Sequence, residues 1–236
     1  MRNLGLLLVS ILFSIQFYAD AEEASDDEKV FIAVVGGTTF GNQTTFGMGL
    51  VEEEGVFTIE TRVGTSPPIY RMRYKDVPFY YIRMYGFEAQ KEGEIEAIGH
   101  IRCWVALYDL GITHVIGGAS SGGIRTDYDY DDLVIVDDFM EMENTRPHNI
   151  LDYSGIERPG VFQNYSQPFS PSLRKLLISE ARKAQEGYTG KLYEQGVFVQ
   201  HNPDRFETAA EVRAMRILGG DLCSENIATA TTYARQ

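Results

Sequence analysis

Cysteine and basic residues are both scarce in this sequence. Its 236 residues contain two cysteines, Cys103 and Cys223, so the chain is not a small domain held together by disulfides. The two thiols could pair, but the sequence favours their burial as free thiols. Lys and Arg number 21 against 34 Asp and Glu, which gives a formal net charge of -13. Because nucleic-acid binding needs a basic surface, no nucleic-acid partner is expected, and a bound phosphate would have to be neutralised locally.

Charged residues are absent from a stretch near the N terminus. Leu4 to Phe17 is mostly apolar, follows Arg2 and precedes the small-x-small site Ala19-Asp20-Ala21. This pattern predicts a signal peptide over residues 1–21 and a single domain over residues 22–236. The alternative is an uncleaved anchor or a buried first helix, against which the acidic residues that follow directly argue. We therefore expect a secreted, extracellular protein that begins at Glu22 and has no membrane attachment after cleavage.

Two sequence triplets match the acceptor pattern for N-linked glycosylation. They are Asn42-Gln43-Thr44 and Asn164-Tyr165-Ser166. A chain that enters the secretory pathway is expected to carry glycans at such sites when they lie on the surface. The prediction is a glycoprotein modified at Asn42 and Asn164.

Short apolar runs typical of strands alternate with segments of helical periodicity. The predicted strands cover residues 30–35, 56–61, 69–73, 79–84, 113–117, 133–136, 196–200 and 222–223. The predicted helices cover residues 95–110, a segment beginning at 170–171 and a segment from 208 to about 218. Asp76 marks a hairpin, and Thr208 with Glu211 forms a capping box. This alternation predicts a layered α/β fold.

Two glycine-rich turns follow predicted strands. Gly36-Gly37 leads into Thr38, and the turn over residues 118–123 contains Ser120. Arg83 lies at the end of a third strand. Because ligands bind beyond the carboxyl ends of strands in such folds, these residues predict an oxyanion or phosphate site. Neither turn has the spacing of a P-loop or of a dinucleotide-binding motif.

Metal binding has weaker support. The acidic residues Asp127, Asp129, Asp131 and Asp132 could suggest calcium, but they lack the glycine and the distal glutamate of an EF-hand loop. A solvated acidic loop is therefore the preferred interpretation. The four histidines are scattered and form no metal-ligand pair at helical spacing, so no metal is expected.

Several segments, in order, resemble the methylthioadenosine and purine nucleoside phosphorylase family. The resemblance covers about residues 30 to 230, and its segments are 34–38, 64–68, 82–86, 111–116, 132–139, 145–147, 205–206, 211 and 219–221. Asp132 to Phe139, followed by Thr145-Arg146-Pro147, is the most specific part. The order and spacing of the segments carry more weight than any one of them.

The resemblance implies a three-layer α/β/α sandwich around a mixed β-sheet, assembled as a homotrimer. It implies phosphorolysis, in which phosphate attacks C1′ of a purine nucleoside or of methylthioadenosine and releases free base and a sugar 1-phosphate. Inorganic phosphate is the co-substrate, and neither a metal nor an organic cofactor is needed.

The resemblance also assigns residues. Thr38, Arg83 and Ser120 match phosphate-binding positions. The positions that match substrate contacts are Gly37, Ala119, Asn202, Glu225 and Asn226. No residue is assigned as a catalytic acid or base.

The sequence departs from the family at several positions. Met84 or Tyr85 replaces a histidine, Asn202 stands where a base-contacting glutamate is expected, and Glu225-Asn226 replaces Met-Thr. The chain ends at Gln236, so the domain is expected to lack the family's last strand and helix. Two hypotheses follow: a purine nucleoside or methylthioadenosine phosphorylase, which is favoured, or an inactive secreted protein that binds nucleosides or serves in storage or in the extracellular matrix. An incomplete gene product would leave the missing positions uninformative.

Overall fold

The computed structural model describes residues 30–36, 51–83, 96–155, 163–202 and 205–236. Residues 1–21, Gly37, Thr38, Asn42 and the pair 84–85 lie outside these segments. The described residues up to Gly118 and those of 149–155 form a first compact unit. The rest of the described chain forms a second unit. Within the described segments, no helix has the length and apolar character needed to cross a bilayer.

The first unit is built on a five-stranded mixed sheet. Its elements are β1 (Ile32–Gly36), β2 (Glu52–Phe57), β3 (Glu60–Thr61), β4 (Gly64–Thr65), β5 (Ile69–Tyr74), β6 (Val77–Arg83), α1 (Glu96–Asp109), β7 (His114–Gly118) and the short α2 (Leu151–Ser154). The strand order is β2-β5-β6-β1-β7, and β3 with β4 forms a separate two-stranded ribbon. Strand β1 lies between β6 and β7 and is parallel to both.

The sequence predicted most of this unit. Strand β1 is buried throughout, as its apolar run indicated. The β5–β6 hairpin turns at Lys75 and Asp76, and helix α1 is followed by Gly111, whose φ of 70° suits a C-terminal glycine. The strand predicted over residues 56–61 is wrong in its extent. Strand β2 ends at Phe57 because the next residues turn into the β3–β4 ribbon, which Ser66 closes by bonding to both backbone groups of Ile59.

The second unit is built on a four-stranded sheet. Its elements are β8 (Gly122–Gly123), β9 (Leu133–Val134), β10 (Asp138–Glu141), α3 (Pro171–Ala184), a 3₁₀ turn (Gln185–Gly187), β11 (Leu192–Tyr193), β12 (Val197–Gln200), α4 (Ala209–Ile217), β13 (Leu222–Ser224) and α5 (Ile227–Arg235). The order is β10-β12-β13-β8. The first three strands are parallel and β8 is antiparallel to β13. Strands β9 and β11 pair separately.

Two strands of this sheet were missed: β10, and β8, which lies within the segment 118–123 predicted as a glycine-rich turn. The strand predicted over residues 133–136 is too long. Only Leu133 and Val134 of the predicted strand 133–136 pair with another strand. The carbonyls of Ile135 and Val136 instead accept hydrogen bonds from the Arg174 guanidinium. Strand β10, which joins the main sheet, begins at an aspartate and lacks the apolar run by which the other strands were recognised.

The helix starts of the second unit follow their capping residues. The Ser170 hydroxyl accepts a hydrogen bond from the Leu173 amide at 3.3 Å, and Thr208 and Glu211 form the predicted capping box before α4. A core of Ile124, Val199, Met215 and Cys223 packs under the sheet. Both cysteines are free and buried, as the sequence favoured. Burial raises the pKa of Cys103 to about 12.

Candidate functional site

Three parallel strands of the first unit end at the same level. Gly36, the last residue of β1, lies opposite Arg83 of β6 on one side and Gly118 of β7 on the other. Neighbouring strands lie ~4.8 Å apart, so these three backbone positions are adjacent. They form the carboxyl edge of the parallel part of the sheet, where α/β folds bind ligands. We call this edge, Gly36, Arg83 and Gly118, the first rim.

The predicted phosphate residues relate to this rim in different ways. Arg83 ends β6 and is partly buried, just after the fully buried Ile82. Ala119 is partly buried and Ser120 is exposed, and both follow Gly118 directly in the chain, within the second unit. Thr38 and Gly37 lie outside the described residues. The structure therefore places Arg83 at the predicted edge of the sheet. A common phosphate site formed by Arg83, Thr38 and Ser120 stays a prediction.

The second unit has a corresponding edge. Glu141 of β10, Gln200 of β12 and Ser224 of β13 lie opposite one another at the carboxyl ends of three parallel strands. Phe198 and Val199, which precede Gln200, are fully buried in the core. We call Glu141, Gln200 and Ser224 the second rim. Polar groups therefore end strands whose inner residues are apolar.

The loops beyond the second rim are tied to one another. The amide of Asn144 donates to the side-chain oxygen of Asn202 at 3.0 Å, which joins the loops after β10 and β12. The buried guanidinium of Arg146 donates to the carbonyl of Glu225, which joins the loops after β10 and β13. The structure therefore brings the loops carrying the predicted substrate residues Asn202, Glu225 and Asn226 to one edge. The Asn202 oxygen already serves as a backbone acceptor there.

A buried glutamine replaces the missing cap of helix α5. The Oε1 of Gln200 accepts a hydrogen bond from the Thr229 amide at 3.0 Å, and its Nε2 donates to the Thr229 hydroxyl. Asn226 occupies the N-cap position of α5 but makes no side-chain capping bond. Since the first amides of a helix lack partners within the helix, Gln200 stabilises the start of α5 from the neighbouring strand.

Glu141 adds a titratable group to the second rim. Its carboxylate lies 3.4 Å from the Thr229 hydroxyl and 3.8 Å from Nδ1 of His148. Burial raises the pKa of Glu141 above its usual range, while the nearby His148 acts in the opposite direction. The charged form of this carboxyl therefore opposes folding.

Replacing Glu141 with glutamine should change how stability depends on pH. Because the folded-state pKa is raised, the wild-type chain binds more protons when folded, so its free energy of unfolding falls as pH rises from 4.5 through the raised pKa. Glu141→Gln removes that titration. In urea titrations across this range, its stability relative to wild type should increase with pH. Parallel profiles for the two proteins would contradict the assignment.

A partly buried polar pair, His201 and Glu207, begins directly after Gln200 of the second rim. Nε2 of His201 lies 2.6 Å from Oε1 of Glu207, and both side chains are only 12% exposed. The Cys223 thiol donates to the carbonyl of Gly122, and burial, together with the nearby Glu207, raises its pKa to about 12. This pair was not predicted, because its two members are six positions apart in the sequence and the histidines were considered scattered.

Residues of the second rim and of the loops beyond it were also missed by sequence reasoning. Arg146 appeared only as part of a resemblance motif, and Glu141 lay in the missed strand. Gln200 carried a usable signal, since it is a polar residue that ends a strongly apolar strand.

The acidic loop has a structural role. Asp127 forms an ion pair with Arg125 at 2.7 Å, and Asp132 accepts hydrogen bonds from the amides of Asp129 and Lys191. Among the described residues, no group of three or more His, Cys, Asp or Glu side chains is arranged to hold a metal ion.

Comparison with known families places the chain. The Phosphorylase superfamily profile matches residues 34–226, a range that includes both rims. The chain belongs to the phosphorylase superfamily.

Curated relatives of this superfamily member include two archaeal enzymes. The 6-oxopurine nucleoside phosphorylase of Pyrococcus furiosus is 35% identical over 122 residues, which are 50% of this chain and 44% of the relative. The S-methyl-5'-thioadenosine phosphorylase of Thermofilum pendens is 31% identical, over 56% of this chain and 47% of the relative. The chain thus spans about half the length of these relatives.

Solved structures show the same fold. The methylthioadenosine phosphorylase from Schistosoma mansoni in complex with adenine superposes with a TM-score of 0.72 at 21% identity, over 88% of this chain and 77% of that one. Its apo form gives a TM-score of 0.70. The phosphorylase-superfamily chain therefore has the nucleoside phosphorylase-like fold, with a mixed sheet and helices.

Proposed function

We propose that this chain catalyses the phosphorolysis of purine nucleosides or methylthioadenosine. The products are free base and a sugar 1-phosphate. The observation that carries the proposal is the register that aligns Arg83 with Gly36 and Gly118 at the first rim. The purine and methylthioadenosine phosphorylases among its relatives support the same reaction class.

Phosphate binds at the first rim in this proposal. The Arg83 guanidinium supplies a positive charge, and the hydroxyls of Thr38 and Ser120 donate hydrogen bonds. The amides of Gly37 and Ala119 belong to the two glycine-rich turns predicted from the sequence, which suit a close approach to an anion. Because the chain carries a net charge of -13, this local neutralisation is what allows a dianion to bind.

The chemical step exchanges one bond at C1′ for another. A phosphate oxygen forms a bond to C1′ while the bond from C1′ to the base nitrogen breaks, and the base leaves with the electron pair and gains a proton. The sugar passes through a transition state with oxocarbenium character, which the bound phosphate stabilises. Inorganic phosphate is the co-substrate, and the step needs no metal or organic cofactor.

Asn202, Glu225 and Asn226 are the proposed substrate residues, and their loops are held by the bonds from Asn144 and Arg146. Such hydrogen bonds limit the movement of loops that must orient a substrate.

The family resemblance also supports a homotrimer, which light scattering on the purified chain would test.

One assay tests the activity. The purified chain is incubated with inosine, adenosine or methylthioadenosine, with and without phosphate, and the free base and sugar 1-phosphate are quantified. The proposal requires release that depends on phosphate. Release that does not depend on phosphate, or no release from any of the three, contradicts it.

A second candidate is an inactive secreted nucleoside-binding, storage or extracellular-matrix protein. It is favoured by the side-chain oxygen of Asn202, which already accepts a hydrogen bond from the Asn144 amide. Calorimetry with the same nucleosides separates these roles. Binding without turnover supports a binding protein, and neither binding nor turnover supports storage or matrix use.

A further inference from the structure

The segment before α3 presents one acceptor triplet on the surface of the second unit. Asn164 and Ser166 are exposed, whereas Tyr165 between them is partly buried. The triplet lies outside the helices and strands. The sequence pattern alone could not show which of its side chains face solvent.

Tyr165 anchors the triplet to the protein. Its ring packs edge-on against Phe139 with centroids 6.4 Å apart, and its hydroxyl donates to the side-chain oxygen of Gln163 at 2.9 Å. Burial raises the pKa of Tyr165, as expected for an enclosed phenol. With the middle residue held inward, its two neighbours are directed outward.

Arg235 fixes the backbone of the same segment. From the last turn of α5, its guanidinium donates to the carbonyls of Asn164, Gln167 and Pro168, each at 3.1 Å. The guanidinium also lies 5.2 Å from the centre of the Tyr165 ring. The side chain of Gln163 donates back to the carbonyl of Arg235 at 2.8 Å. The exposed position of Asn164 is therefore a property of the packed loop.

Within the described part of the chain, the Asn164 side chain forms its hydrogen bonds through its oxygen. Oδ1 accepts from the amide of Ser166 at 2.8 Å and from its hydroxyl at 2.7 Å. Among the described residues, none accepts a hydrogen bond from Nδ2. The serine hydroxyl thus bonds to the amide whose nitrogen would be modified, on a residue that is exposed.

We propose that Asn164 carries an N-linked glycan in the exported protein. In the transfer, Nδ2 of Asn164 forms a bond to the anomeric carbon of an oligosaccharide. The bond from that carbon to a lipid diphosphate breaks, the diphosphate leaves with the electron pair, and the amide loses one proton. The donor is a lipid-linked oligosaccharide diphosphate of the secretory pathway. The modification requires export, which rests on the predicted signal peptide, and it is independent of the proposed enzymatic activity.

The test expresses the full chain, with its own residues 1–21, in cultured eukaryotic cells. Secreted protein is treated with a glycan-releasing amidase, and peptides are mapped by mass spectrometry. Release converts a glycosylated Asn164 to aspartate, and the same map gives the mature N terminus, expected at Glu22. Asn164→Gln and Ser166→Ala should each lose the glycan at this position. Ser166→Thr keeps a hydroxyl and should retain it, and Asn42→Gln should leave it unchanged.

Two results would overturn the proposal. One is secreted wild-type protein whose Asn164 is unmodified. The other is a chain that stays inside the cell without a glycan, which would also refute the export on which the modification depends. Loss of the glycan in Ser166→Ala but not in Ser166→Thr would show that the hydroxyl is what matters, since both variants keep Asn164.

Discussion

Arg83→Ala is expected to lower kcat/KM for phosphate by about 10²–10³-fold, the usual effect of removing one donor that stabilises developing charge. Arg83 ends β6 beside Gly36, and the acidic chain has few cations to replace it. The loss should appear as weaker phosphate binding and slower base release. The KM for phosphate and kcat are measured by following free base at several phosphate concentrations.

Arg71→Ala is the matched control for this variant. Arg71 lies on the adjacent strand β5, is exposed, and has its guanidinium 5.3 Å from the centre of the Phe57 ring. Its removal takes the same charge from the same sheet, away from the first rim, so phosphate kinetics should stay near wild type. Equal losses in both variants would indicate a general effect of charge and would argue against a site at Arg83.

Gln200→Leu should lower the free energy of unfolding by about 2–4 kcal/mol, because two buried groups of Thr229 each lose a hydrogen bond. Those groups are the amide at the start of α5 and the side-chain hydroxyl. Urea denaturation of the purified variant measures the change. Since α5 follows the loop of Glu225 and Asn226, nucleoside affinity should fall as well.

A double-mutant cycle identifies the interaction. Thr229→Val removes the hydroxyl and keeps the shape, so the effects of Gln200→Leu and Thr229→Val should be coupled by about 0.5–3 kcal/mol. Gln167→Leu, at an exposed position of the same unit, should change stability by less than about 0.5 kcal/mol. Additive effects of the first two substitutions would show that the Gln200 side-chain amide is not coupled to the Thr229 hydroxyl.

The sequence predicted elements whose signals are local. The buried strand β1, the hairpin at Asp76, the helix that ends before Gly111 and the capping box of Thr208 and Glu211 are all confirmed. Each depends on apolar periodicity or on one turn residue, which is visible without knowledge of tertiary contacts. Strand β10 was not predicted, because its strand conformation depends on its pairing with β12 and its own sequence lacks a long apolar run.

The candidate site likewise contains residues that the sequence could place and contacts that it could not. Arg83 could be placed at the end of its strand from the apolar run before it, and its alignment with Gly36 and Gly118 follows from parallel pairing. The ties from Arg146 to Glu225 and from Gln200 to Thr229 join residues 79 and 29 positions apart. Contacts at such separations are set by how the sheet is assembled, so the pattern of the sequence could not reveal them.

A crystal structure of the full chain with phosphate and a purine base tests the central claim most directly. The account predicts a phosphate beside Gly36 at the first rim, with its oxygens within hydrogen-bonding distance of the Arg83 guanidinium and of the hydroxyls of Thr38 and Ser120. Phosphate bound elsewhere, with these three side chains pointing to separate places, would contradict it.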